Sequence, residues 1–282
     1  MAVATKEPPP SYAAAPAPPT ATAAAAPTRP LSPRQPAFDL RPALVIARRE
    51  LAAYFATPVA TVFIVVFLAL AGVLTFSLGN FFARGQADLV AFFSFLPWLF
   101  LLFVPALTMR LWAEERRHGT IELLLTLPIA PWQAVLGKFL AAWAFCAIAL
   151  ALTFPFWITV NLLGSPENGV ILSGYIGSLL VAGGFLAIGS AMSATTRNQV
   201  IAFVLGVVLC FAFVASGTAV VTEFLSSRMP LLAEAARAVS VVERFNGFVR
   251  GVVALRDVVF FASLIAFFLF VNVVVLDHRK AD

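Results

Sequence analysis

Six apolar runs dominate the chain, and each is long enough to cross a membrane as a helix. They lie near residues 58–80, 89–112, 132–163, 170–194, 199–222 and 257–277. A hydrocarbon core of about 30 Å needs about 20 helical residues. The third run is long and contains Pro155, so we expect a kinked or tilted helix there. The pattern predicts an all-α polytopic membrane protein with six transmembrane helices.

An amphipathic segment precedes the first run. Between residues 39 and 57, apolar side chains recur at three- and four-residue steps, and Arg41, Arg48 and Arg49 lie off that stripe. This spacing predicts a helix along the membrane surface with its arginines toward the headgroups. An extension of the next helix is the alternative. Thr57-Pro58 favours a break, because the residue before proline avoids the α region.

A second amphipathic segment, residues 223–256, separates the fifth and sixth runs. One stripe is apolar and a parallel one is polar, and several arginines are partly balanced by acidic residues. We expect helices lying in the outer interface, broken near Asn246-Gly247, with arginine side chains reaching outward to water.

The first 37 residues are almost entirely Ala, Pro, Ser and Thr. Such a segment buries too little apolar surface to offset its ordering entropy, so it is predicted to be a disordered tail. No continuous apolar stretch follows Lys6, so we do not expect a secretory signal. The tail is expected to stay attached and cytoplasmic.

The basic residues predict the orientation. Most of them fall on one side if the N-terminus is inside, whereas Arg84 and five arginines of the last outer connection fall on the other. The positive-inside rule, which counts short loops most heavily, therefore predicts that both termini are cytoplasmic. The expected location is a bacterial inner (plasma) membrane.

Composition agrees with lipid as the solvent and narrows the chemistry. The chain is 61% hydrophobic and 12% charged, with a mean hydropathy of +0.94. Its net charge of +5 lies mostly in short connections, which indicates membrane orientation rather than nucleic-acid binding. Cys146 and Cys210 fall inside apolar runs, and His118 and His278 have no ligand-spaced neighbours, so neither a disulfide nor a metal site is expected.

The apolar runs lack the groups that transport or catalysis of their own would need. Their cores contain no Asp, Glu, Lys or Arg, which argues against an ion-coupled carrier. Their polar residues are interpreted as helix-helix or backbone hydrogen-bonding groups, namely Ser94, Thr153, Thr159, Asn161 and Thr218. No nucleophile-base pair and no GxxxxGK[ST] phosphate loop is present, so we expect no enzyme activity and no bound cofactor.

The most informative stretch connects the second and third runs. It concentrates charge between Arg110 and His118 and continues into a leucine-rich segment. Gly119 can end the first helix, Thr120 can cap the next, and Pro128 can stop it. The sequence predicts a short helix with a charged flank and a leucine ridge. An exposed ridge of this kind usually lies against a partner protein.

These residues resemble a known family. This connection resembles the first cytoplasmic loop of ABC type-2 permeases, in particular the branch with gliding-motility and nitrous-oxide-reductase-maturation permeases. The residues that carry the resemblance are Arg110, Ala113-Glu114-Glu115-Arg116, Gly119-Thr120, Glu122, Pro128 and Gly137-Lys138. The run from Phe245 through Leu255-Arg256-Asp257 to Phe260-Phe261 resembles the segment before that branch's last helix. The resemblance covers about residues 40–280.

The resemblance implies a permease domain over residues 38–282, a coupling helix within the loop 113–131 that docks on a cytoplasmic ABC ATPase subunit, and a second permease copy beside this one in membrane lipid. The coupling residues that it implies are Arg110, Glu114, Glu115, Arg116, Gly119, Thr120, Glu122, Leu124, Leu125, Pro128 and Lys138. The expected function is that of the membrane-spanning subunit of an ATP-driven exporter.

Two alternatives stay open from sequence. A permease-like anchor or signalling subunit for an outer protein assembly would share these features, and a channel or ion-coupled carrier is disfavoured by the uncharged helix cores. The Phe-rich interior, with 28 Phe in the chain, favours an apolar or amphipathic substrate.

Overall fold

A computed structural model describes residues 39–119, 129–227 and 229–278, which are largely helical. In chain order the helices are α1 Arg41–Phe55, α2 Pro58–Val73, α3 Phe81–Arg84, α4 Val90–Thr108, α5 Arg110–His118, α6 Pro131–Ala151, α7 Phe154–Leu163, α8 Asn168–Thr195, α9 Gln199–Ala215, α10 Ala219–Ser226, α11 Pro230–Val239, α12 Val241–Val249 and α13 Leu255–His278. A π-helical turn, Leu74–Leu78, extends α2.

The predicted break before the first span is confirmed. α1 ends at Phe55, and Thr57 has an extended backbone with φ −112° and ψ 142°. Pro58 then opens α2 in the first turn, where its missing N–H costs no helical hydrogen bond. The amphipathic segment is therefore a helix separate from the first span.

Within the described residues, five stretches are long and apolar enough to cross a membrane, and a sixth is counted if one bent pair forms a single span. The five are Pro58–Arg84, Val90–His118, Pro131–Leu163, Asn168–Thr195 and Leu255–His278, and the bent pair is α9 with α10. The prediction of an all-α polytopic membrane fold is confirmed. The break expected from Pro155 lies between α6 and α7, at Leu152–Thr153.

The fifth span differs from the continuous helix expected over 199–222. α9 and α10 meet at an angle of 65°. Ser216 and Thr218 each donate a side-chain hydrogen bond to a carbonyl three residues back, at 3.0 and 2.7 Å, which competes with the regular helical ladder. Gly217 lies between them, and its missing Cβ leaves room for the Ser240 side chain. Hydrogen bonding and close packing together explain the bend.

Helix α8 lies at the centre of the bundle, packed against α4, α5, α6, α9, α12 and α13. It is rich in Gly, Ala and Ser, and its stretch from Val181 to Ala191 is completely buried. Small residues let neighbouring helices approach closely, which is how helices associate in a solvent as apolar as themselves. In contrast, α2, α9 and α13 leave many apolar side chains at the surface of the protein.

The segment between the fifth and sixth spans forms two helices, but the expected break near Asn246-Gly247 is wrong. α11 ends at Val239, and the Ser240 hydroxyl accepts a hydrogen bond from Glu243 N at 3.2 Å, which caps α12. The capping serine was the overlooked signal. Arg244 does not reach outward to water as expected, because it pairs with the buried Asp257 at 3.2 Å.

Candidate coupling site

Helix α1 lies directly against the start of α6. A Cβ added at Gly137 would lie 2.8 Å from the Ala43 carbonyl oxygen and 2.8 Å from the Ile46 side chain, so only glycine allows this approach. Ala43 is correspondingly fully buried. Helix α1 is therefore part of the packed structure and supports one wall of the site.

Lys138, next to this contact, joins three helices. Its side chain projects from α6 and is buried, and its ammonium lies 2.8 Å from Glu115 Oε1 of α5 and 3.4 Å from Glu50 Oε1 of α1. The same ammonium lies 5.4 Å from the centroid of the Trp112 ring, within reach of a cation–π interaction. We call Glu50, Glu115 and Lys138 the three-helix ion cluster.

The ion cluster places a buried charge near the start of the third apolar run, whereas the expectation of no charge concerned the cores of the runs. Lys138 lies inside the third span and is 3% exposed. A buried ammonium is costly unless it is paired and hydrogen-bonded. Here two carboxylates face it, and Arg49 pairs with Glu50 at 2.8 Å, so two negative charges meet two positive ones. The charge is therefore tolerated by local neutralisation.

The electrostatics of α1 follow from this arrangement. Burial alone would raise the pKa of Glu50, but the positive charges of Lys138 and Arg49 outweigh it and hold that pKa below its ordinary value. Burial, with the nearby charge of Glu50, raises the pKa of the Tyr54 hydroxyl. Glu50 is thus ionised and Tyr54 neutral at pH 7.

A cleft of about 260 Å³ opens beside the ion cluster, between α1 and α5. It is lined by the ion cluster and by Ala53, Tyr54, Thr57, Arg110, Leu111 and Glu114. Four of the predicted coupling residues therefore line it, namely Arg110, Glu114, Glu115 and Lys138.

The remaining predicted residues lie along or beyond α5. Arg116 is half-buried near its end, and Gly119 ends the helix with a left-handed backbone, φ +70°, as expected. Five predicted residues lie outside the described part of the chain, namely Thr120, Glu122, Leu124, Leu125 and Pro128. The structure brings Glu115 and Lys138 together and adds Glu50, which the sequence analysis missed. The signal was available, because Glu50 is the only acidic residue of α1.

A second polar cluster, also missed, lies on the far side of Trp112. Ser190 accepts hydrogen bonds from Trp112 Nε1 at 3.2 Å and from Asn272 Nδ2 at 2.6 Å, and Ser193 contacts the backbone of α5. All four side chains are essentially fully buried. Asn272 interrupts a long apolar stretch of α13, which was the signal in the sequence.

The polar residues singled out from sequence do make backbone hydrogen bonds, as interpreted. Each donates to a carbonyl three or four residues earlier in its own chain segment, and the residues are Ser94, Thr153, Thr159, Asn161 and Thr218. Thr153 also bonds Tyr175 across two spans, at 2.9 Å.

These spans, with a buried helix at their centre, define a multi-pass helical membrane protein. Residues 92–234 match the family model described as ABC-2 family transporter protein. The match covers half of the 282-residue chain, and the chain therefore belongs to the ABC-2 transporter family. It is a membrane permease subunit and not itself the ATPase, and membership implies association with an ABC ATPase subunit.

The family match does not support the narrower branch suggested by the loop and the last-helix segment. A comparison with curated proteins found no match.

Proposed function

We propose that this chain is the membrane-spanning subunit of an ATP-driven exporter, and that residues 113–131 couple hydrolysis in a separate ATPase subunit to movement of a substrate. Family membership supports the permease role. The observation that carries the coupling role is the three-helix ion cluster, because it clamps both ends of this segment.

The ion cluster joins the two helices that flank residues 113–131, so a force on this segment acts on both helices. Residue 113 lies in α5, residue 131 begins α6, and Lys138 bonds Glu115 across these two helices. A flexible loop cannot transmit a push, whereas a loop whose two ends are joined moves them together. Through Glu50 the same ammonium also engages α1. A force applied to the segment would therefore reach α1, α5 and α6 at once.

The leucine ridge is the proposed contact with the ATPase subunit. Burying one leucine contributes about 1.5–3 kcal/mol, so Leu124→Asp or Leu125→Asp should weaken docking at least about tenfold. Charged residues such as Arg116 and Glu122 would set the register at the rim of the interface. Glu122→Ala is expected to reduce docking less and to uncouple hydrolysis from transport.

The test is to co-purify each variant with its ATPase subunit from cells that express both, and to measure the ATPase rate of each complex. Leu231→Asp is the matched control, since Leu231 is an 82% exposed leucine of α11, in the segment expected to lie in the outer interface. The coupling proposal fails if the Leu124 and Leu125 variants retain wild-type amounts of ATPase subunit.

The proposal includes a bacterial inner-membrane location with both termini cytoplasmic. Single cysteines in the N-terminal tail and in residues 278–282 should react with impermeant reagents from the same, cytoplasmic, side. Labelling of the C-terminus from outside would refute the six-span topology. Deleting residues 1–37 should leave insertion and ATPase assembly intact.

We also propose a second permease copy beside this one. α2 and α9 expose rows of apolar side chains, including Val62 and Val208, each 60% exposed. Membrane lipid and a second copy would share these faces. Cross-linking between cysteines placed on one face in co-expressed tagged copies would distinguish a copy from lipid.

A further inference from the structure

The start of α5 lacks a capping side chain of its own. The first backbone N–H groups of a helix have no carbonyl partner within it, and a Ser, Thr, Asp or Asn at the N-cap usually supplies the acceptor. In α5 the N-cap position is Met109, which makes no side-chain cap hydrogen bond. This terminus is buried at Leu111, Trp112 and Ala113, so water does not readily supply the missing acceptor.

A serine from another helix supplies it. Ser193 of α8 accepts hydrogen bonds from Trp112 N at 3.1 Å and from Ala113 N at 3.2 Å. Its hydroxyl donates in turn to the Met109 carbonyl at 3.0 Å. Trp112 is the third residue of α5, the position whose N–H an N-cap serine ordinarily binds. Ser193 thus performs the work of an N-cap from some 80 residues away in sequence.

The neighbouring contacts hold the same residue from other sides. Trp112 donates its ring N–H to Ser190, one helical turn from Ser193 on α8, and Asn272 of α13 bonds the same hydroxyl. On its other side the Trp112 ring faces the Lys138 ammonium. α5 is therefore fixed between the buried core helix α8 and the three-helix ion cluster.

We propose that Ser193 is a positioning residue whose hydroxyl caps α5 from the neighbouring helix α8 and fixes the direction in which α5 leaves the bundle. The functional consequence rests on the proposed coupling role of residues 113–131, because α5 leads into that segment. The capping itself is a property of the permease alone. Loss of the hydroxyl leaves the Trp112 amide at this buried terminus without its acceptor and removes the additional bonds to Ala113 N and to the Met109 carbonyl, so α5 re-orients to find another acceptor.

The experiment measures the position of α5 in the full-length permease, reconstituted in lipid nanodiscs without the ATPase subunit. Spin labels at Arg117, near the end of α5, and at Arg48 of α1 or Arg197 after α8 report distances by pulsed electron paramagnetic resonance. All three positions are exposed. The two native cysteines are first replaced by alanine. A re-orientation of about 10° moves the end of a nine-residue helix by roughly 2 Å.

Ser193→Ala is expected to shift or broaden the distances by that amount. Ser178→Ala is the matched control, because Ser178 is equally buried in α8 but bonds only the Gly174 carbonyl of its own helix, at 2.7 Å. Ser193→Thr and Ser193→Val form a second pair of equal shape that differs in the hydroxyl. Thr should keep the wild-type distances and Val should lose them. This pair carries the test if the alanine variant does not accumulate.

The proposal is overturned if the spin-label distances of Ser193→Ala and Ser193→Val equal those of the wild type. So do equal shifts in Ser178→Ala, which would assign the effect to general loosening of α8. ATPase docking and hydrolysis are measured on the same variants. If α5 moves but docking and hydrolysis stay at wild-type levels, the cap stands and the coupling role of residues 113–131 is wrong.

Discussion

Replacing Lys138 by methionine tests the three-helix ion cluster directly. Methionine keeps most of the apolar stem and removes the charge that both Glu50 and Glu115 contact. The two carboxylates are about one-fifth exposed, so water only partly compensates for the loss. The variant therefore removes the cation that both carboxylates share in a largely buried place.

The expected cost follows from the burial of the cluster. Removing one member of a buried ion pair costs roughly 3–5 kcal/mol, because the remaining charge is left uncompensated. The lower end, about 3 kcal/mol, applies here, since Arg49 still pairs with Glu50. For a chain of this size about 1 kcal/mol corresponds to 2–4 °C in Tm, so the expected drop is about 6–12 °C.

The assay is thermal unfolding of the permease in nanodiscs, followed by tryptophan fluorescence. Arg49→Met is the matched control. It removes another cation from Glu50, but Arg49 is 65% exposed and its pair should contribute less than about 1 kcal/mol. Adding Glu115→Gln to Lys138→Met should recover part of the loss, because it also removes one of the two carboxylates that had lost the Lys138 ammonium. A Lys138→Met protein that melts within about 2 °C of wild type would refute the reasoning.

Three further predictions concern pH and packing. The pKa of Glu50 lies below its ordinary value of 4.5, so its ion pairs stabilise the fold above pH 4.5 and are lost as the pH falls through the lowered pKa. When Tm is measured from about pH 7 to about pH 3, it should therefore drop less in Glu50→Gln than in the wild type. Gly137→Ala should lower the free energy of unfolding by about 1–3 kcal/mol, because the added Cβ forces α1 away from α6. Gly169→Ala is the control, and it should be neutral or slightly stabilising because the added Cβ meets open space. Equal Tm values for the two variants would contradict the packing argument. Asp257→Asn should lower Tm more than Arg256→Gln does, because the Asp257 side chain is 10% exposed and the Arg256 side chain is 80% exposed. The reverse order would show that the pair of Asp257 with Arg244 contributes little to stability.

The spans and the first helix break were predictable because each depends on neighbours in sequence. Lipid requires long apolar helices, and Pro58 affects the residue directly before it. The bend between α9 and α10 was not predictable in this way. It depends on Gly217 meeting Ser240, which lies between α11 and α12. Contact between distant segments leaves no periodic signal in the sequence.

In the site, too, local features were predictable from the sequence and contacts between distant segments were not. Gly119 was expected to end α5, since a left-handed helix terminus favours glycine locally. Glu115 and Lys138 were both singled out, but as charges of a coupling loop, and nothing in their spacing indicated that they pair with each other and with Glu50. Ser193 was missed because a serine in a helix rich in small residues resembles a packing residue until its partner helix is known.

The composition of α8 has a consequence for biosynthesis. Of the five continuous spans it is the least apolar, with a mean hydropathy of 1.9, and it is also the most buried. The ribosome completes it before α9 and α13, two of the helices that shield it, have been made. A nascent chain arrested just after Thr195 should therefore cross-link to membrane insertion factors, and one extended past His278 should be released from them. The least apolar span is thus made before two of the helices that shield it, so successful insertion depends on how quickly those helices follow.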